Sequence, residues 1–421
     1  MLFLYQFVIT LLLLISPIIL SLRIIKKKED LNRFKEKFGL PSKKRIKGKV
    51  IWFHGASVGE ILSVVPLIKY YEKNKSIKQI LITSSTLSSS KVIQRFNFKK
   101  TIHQFYPIDY FIFTKKFINY WKPNIAIFIE SEIWPMMFNN LKFNNIPIIV
   151  LNARLTKKTF NKWTKLGSFA KSIFSIVTIA YPQNKESKSY LKKLNASKIV
   201  TIGNLKFSEN PDDSFDKINK KLKSELNKKK VWVASSTHNE EEIICAKAHL
   251  KLKKNIKNLL TIIIPRHVHR ANDIADSIKN LKLNVAFHNS KRESLKGIDI
   301  YIVNTFGETK KFHRIGDTVF LGGSIIKRGG QNPLEAARLG AKILHGPNTD
   351  NFKDVYKLLK NLKISKQIKT SKDLASSISF KKNKQKAMKI KNIGKKILKK
   401  TIKELNYQIK YETKKTKVLG L

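Results

Sequence analysis

Cysteine is almost absent from this chain, in which Cys245 is the single cysteine among 421 residues. One cysteine excludes any intramolecular disulfide and any cluster of thiolate metal ligands, so nothing argues for an oxidising compartment. Two nucleotide-binding fingerprints, GxGxxG and GxxxxGK[ST], are missing as well. Their absence leaves a nicotinamide-type site or a P-loop site without support.

Acidic residues are also scarce, with 29 Asp and Glu against 84 Lys and Arg, and the formal net charge is +55. Such a charge attracts polyanions, of which nucleic acid and anionic membrane lipid are the main candidates. The lysines are spread along the whole chain, and no zinc-finger, basic-zipper or RNA-recognition signature accompanies them. We therefore favour a solvated lysine-rich surface over a nucleic-acid-binding face, and we expect no nucleic-acid partner.

Charge is missing altogether from residues 2–22, a predominantly apolar segment that is followed by Arg23, Lys26, Lys27 and Lys28. A helix of about 20 such residues spans the hydrocarbon core of a bilayer. The alternative is a cleaved signal peptide, but no basic segment precedes the apolar run and no small-residue cleavage site follows it. We expect residues 1–25 to form an uncleaved single-pass anchor, and the positive-inside rule then places residues 23 onward in the cytoplasm.

Short apolar runs alternate with helix-length segments through most of the chain, a pattern that predicts βαβ units and parallel sheets. The first series of predicted strands comprises residues 50–53, 79–83, 125–129, 147–151, 176–180 and 199–202. The second series comprises residues 231–234, 259–264, 284–287, 298–303, 318–321 and 341–344. We therefore predict two α/β domains, residues 26–208 and 231–380, joined by a linker at residues 209–230.

The remaining residues, 381–421, are rich in lysine and predict a C-terminal helix. Its apolar residues recur at helical spacing, at Ile390, Ile393, Ile397 and Leu398. Such a stripe requires a partner surface, and we expect it to pack against the N-terminal half.

Residues 54–60, with the sequence HGASVGE, directly follow the first predicted strand. Ser57-x-x-Glu60 fits the capping box that begins many helices. The same position, just past the end of a buried strand, is where α/β proteins place reactive groups. Pro66 argues against a long regular helix from Ser57, and an alternative start at Ser63 would leave Glu60 in a free turn.

Charged residues follow other predicted strands of the N-terminal half. Glu130 and Glu132 come after the strand at 125–129, and two positions apart on an extended chain they share a face. Arg154 follows the next strand. Solvated loop charges would explain each residue alone. Their recurrence with Glu60 at the carboxyl ends of neighbouring strands favours a functional site.

In the C-terminal half, a predicted strand ends in the pair Gly322-Gly323, and a helix is predicted to open with Asn332 as its N-cap and Pro333 at its first position. Glycine N–H groups and a helix N-terminus suit an anion, so this loop predicts a phosphate cradle. Glu335 either accepts hydrogen bonds from ribose hydroxyls or only caps its own helix. The segment alone leaves both interpretations open.

Two further clusters follow strands of this half. Thr237-x-x-Glu240 predicts another capping box, next to His238. Arg266 lies in the segment PRHVHR (265–270), where a His-x-His pair suggests a metal site but no carboxylate stands at ligand spacing. Because guanidinium groups match phosphate oxygens, we favour phosphate binding over metal binding here.

These segments together resemble the bacterial Kdo transferases (3-deoxy-D-manno-octulosonic acid transferases), which are membrane-anchored glycosyltransferases of lipopolysaccharide assembly. The resemblance runs from the N-terminal apolar segment to about Phe352. It is carried, in the family's order, by HGASVGE (54–60), TSST (83–86), His103 with Pro107-x-Asp109, ESEIWP (130–135), NARL (152–155), GNLKF (203–207), ASSTHNEEE (234–242), PRHVHR (265–270), GGS with GGQNPLEAA (322–337) and GPNTDNF (346–352). Asn304 and Gln331 replace an Asp and a His that are usual in the family.

The resemblance implies a GT-B fold of the α/β class, in which two Rossmann-like domains face a cleft behind an N-terminal transmembrane helix. It implies inverting transfer of Kdo from CMP-Kdo to a lipid A precursor at the bacterial inner membrane, on the cytoplasmic side. Residues 26–208 are then the acceptor domain and residues 231–380 the donor domain. Two alternatives stay open: another GT-B enzyme that uses a different nucleotide sugar on a lipid-linked acceptor, and a membrane-tethered nucleic-acid-binding protein.

The resemblance also implies roles for individual residues. Glu60 is the general base. The substrate-binding residues are Glu130, Lys206, His238, Arg266, Gly323, Asn332 and Glu335. No metal or other cofactor is implied, because the leaving group is already a phosphate monoester and no Asp-x-Asp motif is present.

Overall fold

The computed structural model describes residues 1–26, 29–209, 218–290 and 294–418. The chain forms two compact units: unit 1 comprises residues 1–209 and 394–421, and unit 2 comprises residues 210–393. Three segments of the sequence predictions lie outside the described residues: Lys27 and Lys28 of the basic cluster, residues 210–217 of the linker, and residues 419–421 at the C-terminus.

Unit 1 is built on a six-stranded parallel sheet. Its strands are β1 (Val50–His54), β2 (Gln79–Ser84), β3 (Thr101–Phe105), β4 (Ile125–Ile129), β5 (Ile148–Ala153) and β6 (Ile179–Pro182). They are arranged in the order β3-β2-β1-β4-β5-β6, and every neighbouring pair is parallel. In this doubly wound order the direction of winding reverses between β1 and β4, and ligands of such sheets bind beyond the carboxyl ends of the strands at that point.

The helices of unit 1 alternate with its strands. They are α1 (Leu2–Ile25), α2 (Val58–Glu72), α3 (Leu87–Gln94), α4 (Phe111–Trp121), α5 (Pro135–Phe143), α6 (Lys157–Thr164), α7 (Gly167–Ser175) and α8 (Lys185–Lys193). Successive side chains of a strand point to opposite faces of the sheet, so Trp52 joins one core cluster with Phe117 and Phe138, while Phe53 joins another with Leu67. Burial on both faces is why these strands are continuous apolar runs in the sequence.

Unit 2 is built on a seven-stranded parallel sheet. Its strands are β7 (Lys230–Thr237), β8 (Leu259–Pro265), β9 (Val285–Phe287), β10 (Ile300–Ile302), β11 (Thr318–Leu321), β12 (Lys342–His345) and β13 (Ser365–Gln367). The order is β13-β12-β11-β7-β8-β10-β9. Here the reversal lies between β7 and β11, which pair in parallel register. The predicted α/β class with two parallel sheets is confirmed.

The helices of unit 2 are shorter on average than those of unit 1. They are α9 (Lys220–Asn227), α10 (Glu241–Lys253), α11 (Ala271–Lys279), α12 (Thr309–His313), α13 (Leu334–Arg338), α14 (Lys353–Asn361) and α15 (Ser371–Ser377), followed by the start of α16 (Lys384–Val418). Helix α16 continues into unit 1. There Ile397 and Leu398 pack against the core cluster of Phe53, as predicted, whereas Ile390 and Ile393 of the same stripe belong to unit 2. Gly394 passes so close to the Phe207 carbonyl that a Cβ atom would not fit.

One predicted strand is absent from the structure, and two observed strands were not predicted. Residues 199–202 form no strand, and only Ile199 makes an isolated bridge to Ala180. Strand β3 is missing from the prediction because its centre is polar: His103 and Gln104 are buried through hydrogen bonds to Ser84 and Trp121 rather than through apolar packing. Strand β13 is missing as well, since it has only three residues, none of them apolar, and only Ser365 is buried.

Helix α1 is long and apolar enough to cross a membrane, with a mean hydropathy of 2.5 over its best window and no buried residue in it. Only its first turn meets the core of unit 1. Leu2 and Tyr5 pack there, and the Tyr5 hydroxyl donates a hydrogen bond to Asp109 at 2.8 Å. Asp109 also accepts the N–H groups of Met136 and Met137, so the start of α5 and the start of α1 share one buried carboxylate.

Candidate active site

The two strands that flank the reversal of the sheet in unit 1 carry the charged residues picked out from the sequence. Glu60 lies in the first turn of α2, just after β1. Glu130 and Glu132 follow β4, the neighbour of β1. Parallel strands present their carboxyl ends at one edge of the sheet, so the topology gathers these three carboxylates at the position where doubly wound sheets bind ligands.

Glu60 is held by the start of its own helix. Its Oε2 accepts the N–H of Ala56 at 2.7 Å, and its Oε1 accepts the hydroxyl of Ser57 at 2.8 Å. Ser57 is the N-cap of α2, and its Oγ accepts the N–H of Glu60 at 3.4 Å. The capping interaction predicted from Ser57-x-x-Glu60 is therefore present, with the backbone bond of Glu60 made to Ala56 rather than to Ser57.

The alternative helix start at Ser63, considered because of Pro66, is wrong. Helix α2 begins at Val58 and contains Pro66 in its interior. Proline has no N–H, so Pro66, the ninth residue of the helix, cannot donate to the carbonyl of residue 62. Helix α2 continues past this missing hydrogen bond to Glu72. Glu60 is consequently fixed in a first helical turn instead of lying in a free turn.

The electrostatic environment of Glu60 suits proton transfer at neutral pH. Burial, followed by the negative charges of Glu132 and Glu130, raises the pKa of Glu60 to about 7, against the opposing effect of the hydrogen bonds from Ser57 and Ala56. A general base is most effective when its pKa lies near the working pH. The capping contacts and the raised pKa of Glu60 therefore belong to one conformation of this residue.

Glu132 is positioned by a chain of hydrogen bonds that the sequence did not reveal. His54 is fully buried, and its Nε2 lies 3.2 Å from Glu132 Oε2, while its Nδ1 lies 2.9 Å from Thr83 Oγ1. Thr83 in turn accepts the indole N–H of Trp52 at 2.9 Å. Because a carboxylate only accepts, Nε2 carries the proton and donates to Glu132, and in the neutral ring Nδ1 accepts the hydroxyl proton of Thr83. Burial lowers the pKa of His54, which keeps this ring neutral.

Glu132 and Glu130 do not share one environment. Trp134 donates its indole N–H to Glu132 at 2.9 Å, whereas Glu130 Oε1 lies 2.5 Å from the ammonium of Lys206. The prediction that the two carboxylates share a face of an extended chain is wrong, because the backbone at Glu130 is left-handed, with φ of 60°. A non-glycine residue in that region costs free energy, and such strain recurs at functional sites.

In unit 2 the glycine loop after β11 has a different role from the one predicted. The N–H groups of Gly323, Ser324 and Ile325 all donate to the carboxylate of Glu241, at 2.7 to 3.1 Å. The N–H of His238 donates to the same carboxylate at 3.0 Å. Glu241 is fully buried. The anion that this loop cradles is therefore a side chain of the chain itself, and these N–H groups are not available to a phosphate.

The capping box predicted at Thr237-x-x-Glu240 is also wrong. Helix α10 begins at Glu241, and no side chain caps it. Glu240 is the N-cap residue, with a left-handed φ of 73°, and it is exposed. The carboxylate that organises this turn is the next one along the chain, Glu241.

His238, Arg266 and Gly323 lie close to this turn. Burial lowers the pKa of His238, and a Cβ atom at Gly323 would lie 3.2 Å from its ring, so glycine leaves room for the imidazole. The N–H of Arg266 donates to Thr237 at 2.9 Å, which fixes its backbone next to β7, and its side chain is exposed. The predicted residues on the β7 and β8 ends thus sit beside the glycine loop.

Asn332 and Glu335 lie at the beginning of α13. The predicted helix start is shifted by one residue: Pro333 is the N-cap and Leu334 is the first helical residue, while the Asn332 side chain accepts the N–H of Leu334 at 3.1 Å. Glu335 Oε1 lies 3.0 Å from His313 Nδ1. Burial would raise the pKa of Glu335, but the hydrogen bond from His313 and nearby positive charges, among them Lys310 and Arg338, hold it below its usual value, so this carboxylate is ionised at neutral pH.

The residues that the structure describes include no group of three or more His, Cys, Asp or Glu side chains arranged to hold a metal ion. The rings of His267 and His269 are tilted against each other with their centroids 5.7 Å apart, and His238 meets His267 edge to face at 6.0 Å. Arg266, whose side chain is exposed, adds a permanent positive charge next to these imidazoles, and a positive charge suits an anionic group.

Comparison with known proteins adds the following. Residues 32–209 match the family model described as 3-deoxy-D-manno-octulosonic-acid transferase. The chain is 34% identical over 379 residues to the 3-deoxy-D-manno-octulosonic acid transferase of Rickettsia bellii, with 90% of each chain covered. It is 28% identical over 360 residues to the protein of that name from Haemophilus influenzae, with 84% of each covered. In fold it is similar to the UDP-GlcNAc 2-epimerase of Neisseria meningitidis, with a TM-score of 0.56, 12% identity, and coverage of 84% of this chain and 100% of that one.

Proposed function

This chain belongs to the 3-deoxy-D-manno-octulosonic acid (Kdo) transferase family, and on that premise we propose that it transfers Kdo from CMP-Kdo to a lipid A precursor with Glu60 as the general base. The observation that carries the role of Glu60 is its carboxylate, with a pKa of about 7, at the strand end where the sheet of unit 1 reverses. Membership of the family supports the reaction. The geometry supports the assignment of the residue.

The proposed chemistry is a single inverting displacement. Glu60 accepts the proton of an acceptor sugar hydroxyl, the hydroxyl oxygen attacks the anomeric carbon of Kdo, and the bond from that carbon to the phosphate oxygen breaks. Cytidine monophosphate leaves with the electron pair of the broken bond. The positive charge of Arg266 and the polar groups around His238 stabilise the departing phosphate, as preorganised charges do most effectively.

The remaining predicted residues fit supporting roles. We propose that Glu335 accepts hydrogen bonds from the ribose hydroxyls of the donor and that Asn332 shapes the loop before it. Gly323 keeps the space beside His238 open. Glu130 and Lys206, which pair at 2.5 Å in unit 1, are proposed to contact the acceptor. A carboxylate suits its sugar hydroxyls, and an ammonium group suits its phosphates.

A direct assay tests this function. The purified full-length chain is incubated in detergent with CMP-Kdo and a tetra-acylated lipid A precursor, and the acceptor is weighed by mass spectrometry. We expect the mass of the acceptor to increase by whole Kdo units. An acceptor that keeps its mass in several detergents, with a chain that is folded by circular dichroism, would overturn the proposal.

The pH dependence of the rate follows from the raised pKa of Glu60. A base must be deprotonated to accept a proton, so the rate of Kdo transfer should fall about tenfold per pH unit below about pH 7. A glutamate of ordinary pKa would keep its activity to about pH 5. In Glu132→Gln one of the negative charges that raise this pKa is lost, and the profile should move to lower pH. A profile that is flat from pH 8 to pH 5 would exclude Glu60 as the titrating base.

We propose that α1 anchors the protein in the inner membrane as a single crossing, with both units on the cytoplasmic side, where the basic surface meets anionic lipid. The hydrogen bond from Tyr5 to Asp109 opposes this topology, because Tyr5 would have to leave unit 1. One hydrogen bond to a charged group contributes about 1.5–3 kcal/mol. Membrane insertion of each Leu, Ile, Phe or Val residue of α1 is favourable by roughly 0.3–0.6 kcal/mol. Their sum exceeds the free energy of the hydrogen bond, so we expect α1 to insert.

A reporter fused before Met1 checks the topology. With a crossing helix, a reporter that is active only in the periplasm should be active, and one that is active only in the cytoplasm should be silent. The reverse result would mean that α1 lies along the cytoplasmic leaflet with the Tyr5 contact intact. Tyr5→Phe, which cannot make the bond to Asp109, is the matched control and should cross in either case.

A further inference from the structure

We propose that His313 is a positioning residue for the donor, which holds the carboxylate of Glu335 in place through a hydrogen-bonded chain that begins at Ser235. This inference rests on the proposed function, because it takes Glu335 as the group that meets the ribose hydroxyls. Nothing in the sequence pointed to His313, which lies in α12, outside every segment selected above.

The chain of contacts is continuous and joins three elements of unit 2. His313 Nε2 lies 3.0 Å from Ser235 Oγ on β7, and His313 Nδ1 lies 3.0 Å from Glu335 Oε1 on α13. A carboxylate can only accept, so Nδ1 carries the ring proton and donates to Glu335. Nε2 then accepts the hydroxyl proton of Ser235. Each member has a partner of the correct kind.

Serine, histidine and glutamate in a row also describe a hydrolytic triad, but burial excludes that use. Ser235 is 1% exposed and His313 is 3% exposed, whereas 27% of the Glu335 side chain is exposed. A nucleophilic serine has to reach its substrate, and this one lies at the closed end of the chain. The only end that meets solvent is the carboxylate.

The geometry therefore assigns an orienting role. The bond from His313 is made to Oε1 of Glu335, and the ligand is assigned to Oε2. A carboxylate with one oxygen held in place has lost most of its rotational freedom, so a vicinal diol can bond to it without paying that entropy again. Ser235 ties the arrangement to the strand at the reversal of the sheet, and α12 and α13 are thereby coupled to β7.

The chain itself supplies a matched control. His249 is a second buried histidine of unit 2, with Nδ1 at 2.8 Å from Thr261 Oγ1 and Nε2 at 3.4 Å from Asp299 Oδ1. It therefore joins a hydroxyl to a carboxylate as His313 does. Its carboxylate, Asp299, precedes β10 and accepts the N–H of Asn284, so it serves the fold and has no assigned part in donor binding.

The test compares the inhibition of Kdo transfer by cytidine monophosphate and by 2′,3′-dideoxycytidine monophosphate, which lacks both ribose hydroxyls. The wild type should prefer the first. In His313→Phe we expect that preference to fall about tenfold and the KM for CMP-Kdo to rise by a similar factor, with kcat within about twofold of the wild type. His313→Asn, whose amide nitrogen replaces Nδ1, should restore most of the preference. His249→Phe should lower thermal stability and leave the preference unchanged.

A failure of the role proposed for His313 can be told apart from a failure of the proposed function. If the wild type transfers Kdo but His313→Phe keeps the full preference for the ribose hydroxyls, the role of His313 is wrong and the proposed function stands. An equal loss in His249→Phe would also overturn the inference, since it would show a general structural effect. If His313→Phe does not fold, Ser235→Ala decides between the same outcomes, because it removes the hydroxyl that fixes the imidazole and should also lower the preference. A wild type that transfers no Kdo overturns the proposed function itself.

Discussion

Replacing Glu60 by glutamine is expected to lower kcat for Kdo transfer by about a thousandfold, within the range that a positioned general base contributes. The amide cannot accept the hydroxyl proton, but its oxygen can still accept the N–H of Ala56, so α2 should keep its start. The affinity for cytidine monophosphate, measured by calorimetry, should stay within about twofold, because the proposed donor residues lie in unit 2.

Ser57→Ala separates the two interpretations of Glu60. This variant removes the hydroxyl that caps α2 and bonds Oε1, but it leaves the carboxylate in place. Loss of such a cap costs about 1 kcal/mol of stability. We expect Ser57→Ala to unfold at lower denaturant concentration and to keep most of its activity. Glu60→Gln should keep its stability and lose its activity. If Glu60→Gln were as active as Ser57→Ala, Glu60 would be only a helix cap.

Replacing Glu241 by alanine is expected to unfold unit 2 or to destabilise it by roughly 3–5 kcal/mol, the cost of removing one partner from a buried charged network. Four backbone N–H groups, those of His238, Gly323, Ser324 and Ile325, would lose their acceptor in a buried site. Urea unfolding followed by tryptophan fluorescence measures the loss, since Trp232 lies in the core of this unit.

Glu240→Gln and Glu241→Gln form a matched pair for this prediction. Both remove one negative charge from neighbouring residues, but Glu240 is exposed and caps nothing with its side chain. Glu240→Gln should be within about 0.5 kcal/mol of the wild type, as surface substitutions usually are. Glu241→Gln should lose much more, because an amide NH₂ would face N–H donors. Equal stability of the two would show that Glu241 does not organise the glycine loop.

The strands and the strand ends were predictable because their signals are local. A strand buried on both faces must be apolar throughout, and the residues that follow it are read directly from the next positions of the chain. Glu60, Glu130, His238 and Arg266 were found in this way. Strand β3 was not, since its burial depends on hydrogen bonds from other elements to His103 and Gln104, and no apolar run marks it.

Helix starts were predicted less well, because competing caps differ by tertiary contacts. Pro66 argued for a start at Ser63, but α2 begins at Val58 and packs Ile61 and Leu67 into the core. The burial of these side chains is worth more than one missing helical hydrogen bond. At Thr237-x-x-Glu240 the pattern of a capping box was present, and the carboxylate that mattered was one residue further on.

By itself, the sequence determined the α/β class, the two parallel sheets, the order of the strand-end motifs and the family, because each depends on residues that are neighbours along the chain. The tertiary structure decided which charges meet. It assigned the N–H groups of the glycine loop to Glu241, linked Glu132 to His54, and joined Ser235, His313 and Glu335, which are separated by 78 and 22 positions. Hydrogen bonds and shifted pKa values depend on distances of a few ångströms in space, and such distances between remote residues exist only once the sheets have formed.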